Sequence, residues 1–191
     1  VALQKAGDWA EAAERLVKSA ANLEKAGADC ILIATNTMHK VADEVARHLH
    51  VPLINIIDVT AAALKARHAK KPLLLATRYT MEDGFYAERM ARNGLALMTP
   101  DHLGRVIVHD VIFNELCAGH VSEASRKRIL DIIAAAKADG ADSVILGCTE
   151  ICMLIEPSMS PLPVFDSTAI HAAAAVDFAL GGLATDMTEA A

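Results

Sequence analysis

The sequence predicts an α/β protein made of two related lobes, each a parallel sheet flanked by helices. Three observations lead there. Short apolar runs alternate with amphipathic stretches of helical length, the pattern of parallel strands joined by crossover helices. The segment GADCILIATNT (Gly27 to Thr37) returns 113 positions later as GADSVILGCTE (Gly140 to Glu150). In that register Ile31-Leu32-Ile33 falls on Val144-Ile145-Leu146 and Thr35 on Cys148. Further on, IIDVTA (Ile56 to Ala61) echoes VFDSTA (Val164 to Ala169). A single Gly-Ala-Asp junction is commonplace, because Gly ends a helix and an apolar run enters a buried strand. Two echoes in one order, with Arg15 on Arg128 and Leu16 on Ile129 upstream, point to duplication.

The elements follow in order. Trp9 to Ala26 reads as an amphipathic helix with Trp9, Ala13, Leu16, Val17, Ala20 and Leu23 on its core face. Ile31 to Ala34 is a buried strand, and a helix follows from about Met38 to Leu49. Val51-Pro52 opens a strand at Leu53 to Ile57, and Asp58 to Ala69 is helical. Lys70-Lys71-Pro72 has the composition of a join between lobes. The second lobe then runs strand Leu73 to Ala76, helix Glu82 to Asn93, strand Leu95 to Met98, and helices at His102 to Leu116 and Glu123 to Ala138. Strands at Ser143 to Leu146 and Val164 to Phe165 complete it, and a last helix, Thr168 to Leu180, stops at Gly181-Gly182. The predicted division is a first lobe of residues 1–69 and 167–191 and a second of 70–166. The second lobe shows four strands and the first only two. Carried back by the repeat offset, the strand at Leu73 would have its counterpart about 40 residues before Val1. A flavodoxin-like first lobe is therefore expected to lack its N-terminal strands in this chain.

Composition removes several classes of function. Aromatics make up only 4% of the 191 residues, and a net charge of −6 is the wrong sign for a nucleic-acid partner. There is no apolar run of membrane-spanning length and no leader pattern, so a cytoplasmic location is expected. The four cysteines lack zinc-site spacing, which predicts reduced thiols and no metal. No Gly-rich phosphate loop is present, which argues against a nucleotide cofactor.

The chemistry-bearing residues cluster at strand ends. Thr35-Asn36-Thr37 and Cys148-Thr149-Glu150 are short polar turns at the carboxyl ends of echoed strands, where open α/β sheets bind ligands. Thr77-Arg78-Tyr79-Thr80 is a third such turn. Their hydroxyls and free N–H groups suit a small carboxylate. Cys148, read as lying at a helix N-terminus, is expected to be a stabilised thiolate. Cys117 and Cys152 are expected to fill helical core positions, and His39 and His120 to be solvated or packed.

The pair TNTMHK (Thr35 to Lys40) and GCTEI (Gly147 to Ile151), one per lobe, resembles the aspartate/glutamate racemase family, and the likeness covers essentially the whole chain. The resemblance implies two pseudosymmetric lobes with the substrate between them, a homodimer, and no pyridoxal phosphate or metal. Two family cysteines work on opposite faces of the substrate α-carbon, and Cys148 matches the one acting on the L-enantiomer. Asn36, Thr37, Thr80 and Thr149 match residues that hold the α-carboxylate and amino group, with Thr77 beside them. Glu150 follows the aspartate-racemase branch, where the cell-wall glutamate racemases carry His. The chain departs from the pattern at Thr35, which takes the first cysteine's seat. A hydroxyl is too weakly acidic to rest as a base near neutrality, but it can donate a proton. This Thr–Cys pairing resembles a subgroup of broad-specificity racemases described as acting on L-glutamate. The family's Gly-Gly-Met-Ser segment and substrate-binding Arg are absent here, and His120 stands where a basic residue usually follows the Gly. The implied function is racemisation of aspartate or glutamate. Two alternatives stay open: single-cysteine decarboxylation of substituted malonates, and a catalytically weak amino-acid-binding protein.

Overall fold

The computed structural model describes residues 2–181. In chain order the elements are α1 (Ala2–Ala6), α2 (Trp9–Lys25), β1 (Ile31–Leu32), α3 (Ala42–Ala46), β2 (Leu53–Ile54), α4 (Ile56–Ala66) and β3 (Pro72–Leu75). Then come α5 (Arg78–Glu82), α6 (Phe85–Arg92), α7 (His102–Asp110), α8 (Glu123–Ala138), β4 (Ser143–Leu146), β5 (Val164–Asp166) and α9 (Ser167–Ala179). All named strands run parallel, as the alternation of strands and helices requires. β1 pairs β2 with Ile31 opposite Leu53, while β3, β4 and β5 lie in that order with Leu73 opposite Val144 and Val144 opposite Val164.

The strand expected at Leu95 to Met98 is reduced to one bridge, Leu73 to Met98. Its backbone still runs beside β3: Leu74 N–H donates to Met98 O at 2.8 Å, and Met98 N–H to Pro72 O at 2.8 Å. The second lobe therefore has the flavodoxin-like spatial order, with its second strand outside its first. Two expected helices are interrupted. Gly84, at φ +82, separates α5 from α6, a conformation open to glycine at no steric cost. The stretch to Leu116 leaves α7 at Asp110 and continues as a π turn, Val111–Glu115, then a short 3₁₀ turn. Similarly, the helix expected from Met38 begins as a 3₁₀ turn, Thr37–Val41, before α3. Leu23, expected on the core face of α2, is 55% exposed, because that helix packs through Ala12, Ala13 and Ala20. The last helix ends at Ala179, and Gly182 lies outside the described residues.

The duplication is visible in hydrogen bonds. Gly27 and Gly140 both take φ near +94° and end α2 and α8 (φ +94 and +93). Ala28 N–H returns to Leu23 O at 3.1 Å, and Ala141 N–H to Ala136 O at 2.9 Å, the same closing turn in both lobes. The second echo is shifted. Leu53 and Val164 occupy equivalent ladder positions, so Asn55 corresponds to Asp166, not Asp58. Both are helix caps: Asn55 accepts from Ile57 N–H, and Asp166 from Thr168 and Ala169 N–H.

Two apolar clusters form. A small one gathers Ala20, Ile31, Ile33, Ala42 and Val45 between α2, β1 and α3. The larger one packs α6, α7 and α8 on β3 and β4 and also receives Ile56, Ile57, Ala61 and Leu64 of α4. α4 thus packs into the larger core, beside α6 and β5, and α9 packs on it. Among the described residues no helix is long and apolar enough to cross a membrane.

Candidate active site

A cleft of about 360 Å³ opens where the two repeated turns face each other. Thr35, Asn36 and Thr37 line one side and Gly147, Cys148, Thr149 and Glu150 the other, with Thr77 and Tyr79 between them. Both turns sit at strand ends, so parallel pairing alone brings them to one edge of the molecule. The β1 strand stops early because Thr35 N–H turns back onto Ile33 O at 2.8 Å. Across the cleft, Gly147 N–H donates to Leu75 O at 2.8 Å, and a Cβ there would lie 2.7 Å from Leu74 Cδ1. Glycine is what lets Cys148 follow so closely on the sheet.

The threonines join the lobes. Thr37 Oγ1 lies 2.8 Å from Thr80 Oγ1 and 3.1 Å from Thr77 Oγ1, and Thr77 is 3.1 Å from Thr80. Thr37 and Thr77 line the cleft, whereas Thr80 is buried (1% exposed) and stands behind them, one helical turn from Thr77. Asn36 is 3% exposed, and its Nδ2 donates to Ser167 Oγ at 3.1 Å. Ser167 spends its own proton on Leu146 O at 2.9 Å, which fixes the orientation of the Asn36 amide. Asn36 Oδ1 is left buried without a partner. Such an acceptor is costly unless a ligand donor meets it. A small chamber of about 140 Å³ continues behind Asn36, between Thr35, Ile56, Thr149 and His171.

Cys148 departs from expectation. It is 9% exposed, and the turn after it is only a three-residue 3₁₀ segment, Ile151–Met153, too short for peptide dipoles to sum. Its Sγ–H donates to Glu150 Oε2 at 2.8 Å, and Thr149 Oγ1 donates to the same oxygen at 2.7 Å. Burial first, and then the Glu150 hydrogen bond and charge, push the thiol up to about 12. At rest Cys148 is a thiol, not a thiolate. Burial works to raise Glu150 as well, but the hydrogen bonds from Cys148 and Thr149 outweigh it and hold the carboxyl below its usual range. Glu150 therefore rests ionised, aimed at sulfur.

Lining residues that escaped the sequence reading include Cys117 and Gln4. Cys117, expected in the core, is exposed and faces the cleft with Ile112 and Phe113, because the π turn rotates this stretch. Gln4 reaches the cleft from α1, its Nε2 on Met38 Sδ at 3.0 Å. Cys152 does not line the cleft: it is half-buried, its Sγ 3.5 Å from Cys148 O, and it packs against the main core as expected, though on a 3₁₀ turn. His120 does not line this cleft. Among the described residues no cluster of three His, Cys, Asp or Glu side chains is placed to hold a metal ion.

Comparison with known proteins identifies the family. The family model for Asp/Glu/Hydantoin racemase matches residues 1–175. The broad-specificity amino-acid racemase RacX of Bacillus subtilis (strain 168) is 27% identical over 176 residues, covering 88% of this chain and 73% of RacX. The crystal structure of a candidate Asp/Glu racemase from Yersinia pestis superposes with a TM-score of 0.89 at 46% identity, over 93% of this chain and 78% of that one. An aspartate racemase homologue from Pyrococcus horikoshii OT3 gives 0.84 at 34% identity, with the same coverage of 93% and 78%. Racemases of amino acids are isomerases, and with the family model spanning nearly all of its described residues, the chain belongs to the Asp/Glu/hydantoin racemase family.

Proposed function

We propose that this chain racemises aspartate or glutamate without pyridoxal phosphate or metal, by removing and returning the α-proton from opposite faces. The observation that carries the reading is the cleft itself: Thr35 and Cys148, equivalent positions of a duplicated unit, line it from opposite sides. On the L-face, sulfur takes the α-proton while its own proton passes to Glu150 Oε2, 2.8 Å away. The relay is uphill, because Glu150 is held a weaker base than an ordinary carboxylate, and substrate binding must offset that cost. A thiol near 12 is ionised only about once in 10⁵ molecules at pH 7, a cost of about 7 kcal/mol if the thiolate had to pre-exist. On the other face, the exposed Thr35 hydroxyl donates to the carbanion and is recharged by solvent. The unpartnered Asn36 Oδ1 is suited to the substrate ammonium, and the hydroxyls of Thr37, Thr77 and Thr149 to its α-carboxylate, with Thr80 backing the first two.

The proposal includes the two-lobe division at residues 69/70 and 166/167 and a cytoplasmic homodimer. A second reading rests on one observation: Cys148 is held protonated, the form a proton donor needs. Decarboxylation of a substituted malonate, with Cys148 protonating the resulting enediolate, would use that form directly. Incubation in D₂O with each enantiomer of aspartate and glutamate, followed by NMR, separates the readings. Loss of the α-proton with appearance of the opposite enantiomer, abolished in Cys148→Ala, supports racemisation. No exchange with all four in a folded, reduced sample refutes it, and turnover of a substituted malonate then establishes the second reading.

A further inference from the structure

We infer that His39 is a positioning residue for Thr35, clamping the catalytic turn to the start of α4 through both imidazole nitrogens. Its Nδ1 lies 2.8 Å from the Thr35 carbonyl oxygen, and its Nε2 lies 3.0 Å from Ile56 N. A backbone N–H only donates, so Nε2 is the bare nitrogen and Nδ1 carries the proton that Thr35 O accepts. The tautomer is thereby set by the fold. The ring is 5% exposed, and burial lowers its pKa to about 4, so donor and acceptor keep these roles throughout the neutral range. The need for a clamp is local. Thr35 is exposed and belongs to no helix or strand, and its own turn supplies one backbone bond, to Ile33 O.

The anchor at the other end is firm. Asn55 caps α4, and on its near side His171 Nε2 donates to Ile54 O at 2.7 Å. The two rings meet edge to face with centroids 5.8 Å apart. The next residue of the turn, Asn36, is tied to α9 through Ser167. His39 therefore transfers the rigidity of this joint to the backbone that carries the Thr35 hydroxyl.

The inference rests on the reading of Thr35 as proton donor, and the test separates the two. With L-glutamate or L-aspartate in D₂O, α-deuterium gained with retention reports Cys148 alone, whereas inversion also requires the opposite face. His39→Gln places an amide oxygen near Nε2 and loses the donor to Thr35; His39→Asn keeps a donor near Nδ1 and loses the acceptor. His39→Gln is expected to raise the retention-to-inversion ratio about tenfold, since small displacements of a catalytic group are costly. His39→Asn should stay near the wild-type ratio. A merely structural role would lower both rates together, and an unchanged ratio in His39→Gln, or an equal rise in both variants, overturns the inference. Thr35→Ala supplies the control. A wild-type ratio there refutes Thr35 as donor and takes the His39 inference with it. A raised ratio there with none in His39→Gln refutes His39 alone.

Discussion

Replacing Glu150 by Gln sets two effects against each other, and their magnitudes decide the outcome. The Glu150 hydrogen bond and charge are, after burial, what raises Cys148 from 9.0 to about 12. Gln removes the charge, so the thiol should titrate lower. Assigning half of the rise to Glu150 makes the thiolate about thirtyfold more abundant near neutrality, a gain of about 2 kcal/mol. Against this, Gln cannot receive the proton that leaves sulfur, and a positioned proton acceptor is worth about 10² to 10⁴ in rate, about 3 to 5 kcal/mol. The loss is the larger. Turnover from the L-enantiomer is therefore expected to fall by between about threefold and a few hundredfold, even though the thiol is more acidic. Alkylation by iodoacetamide as a function of pH reads the thiol, and α-proton exchange in D₂O reads the chemistry. A lowered thiol pKa with exchange as fast as in the wild type would refute the relay. It would mean that Glu150 only suppresses the thiolate.

Thr35→Cys should raise kcat from the D-enantiomer, and because an equilibrium constant of one holds kcat/KM equal for the two enantiomers of any one variant, any change in kcat/KM must be the same in both directions; an unchanged D-side kcat would remove Thr35 from the mechanism. His39 should make the fold acid-sensitive. Its pKa is about 4 in the folded chain against 6.5 ordinarily, so its contribution, up to about 3 kcal/mol, is complete above pH 6.5 and lost as pH falls through 4. Urea titrations at pH 7 and 4.5 should show part of that loss in the wild type and a smaller one in His39→Gln; equal slopes would refute the assignment. Arg89 grips Asp58 through two bonds of 2.8 and 2.7 Å and Asp43 through one of 2.6 Å, joining α6 to α4 and α3. Arg89→Met should cost about 2 kcal/mol and about 4–8 °C in Tm, and a double-mutant cycle with Asp58→Asn showing no coupling would refute the clamp.

Strand ends and caps made the site's location legible before any coordinates. The repeated Gly-Ala-Asp run sets two equivalent strands, and chain direction alone then puts Thr35 and Cys148 at ligand-binding ends. The state of Cys148 was not legible. Glu150 is two residues away, and the sequence does not reveal that its side chain curls back onto sulfur, or that the helix expected to favour a thiolate is a single 3₁₀ turn. Cys117 was hidden for a different reason. Helical periodicity placed it in the core, but the π turn at Val111–Glu115 adds a residue to one turn and swings the following side chains by about 100°. Gln4 lies outside any periodic stretch long enough to orient it.

The misregistered second echo carries the more general point. Matching Asp58 to Asp166 follows letters; matching Asn55 to Asp166 follows the cap, the role that fixes where each helix starts. In the second alignment Ile56 corresponds to Ser167, the first residue of α4 and of α9 respectively. Both reach the same motif: Ile56 N–H donates to His39, and Ser167 Oγ accepts from Asn36. The starts of both duplicated helices thus converge on TNTMHK. The turn of Cys148 is instead held by Gly147 against β3, with its thiol occupied by Glu150. Duplication supplied two equivalent seats, but the bonds around them are unequal. On the proposed mechanism, the tethered seat holds a hydroxyl, which must be placed because it is a poor acid, and the other holds a thiol with a carboxylate hydrogen-bonded to it. If the proposed roles hold, that division of labour lets a pseudosymmetric frame run a reaction that is symmetric overall with two chemically different groups.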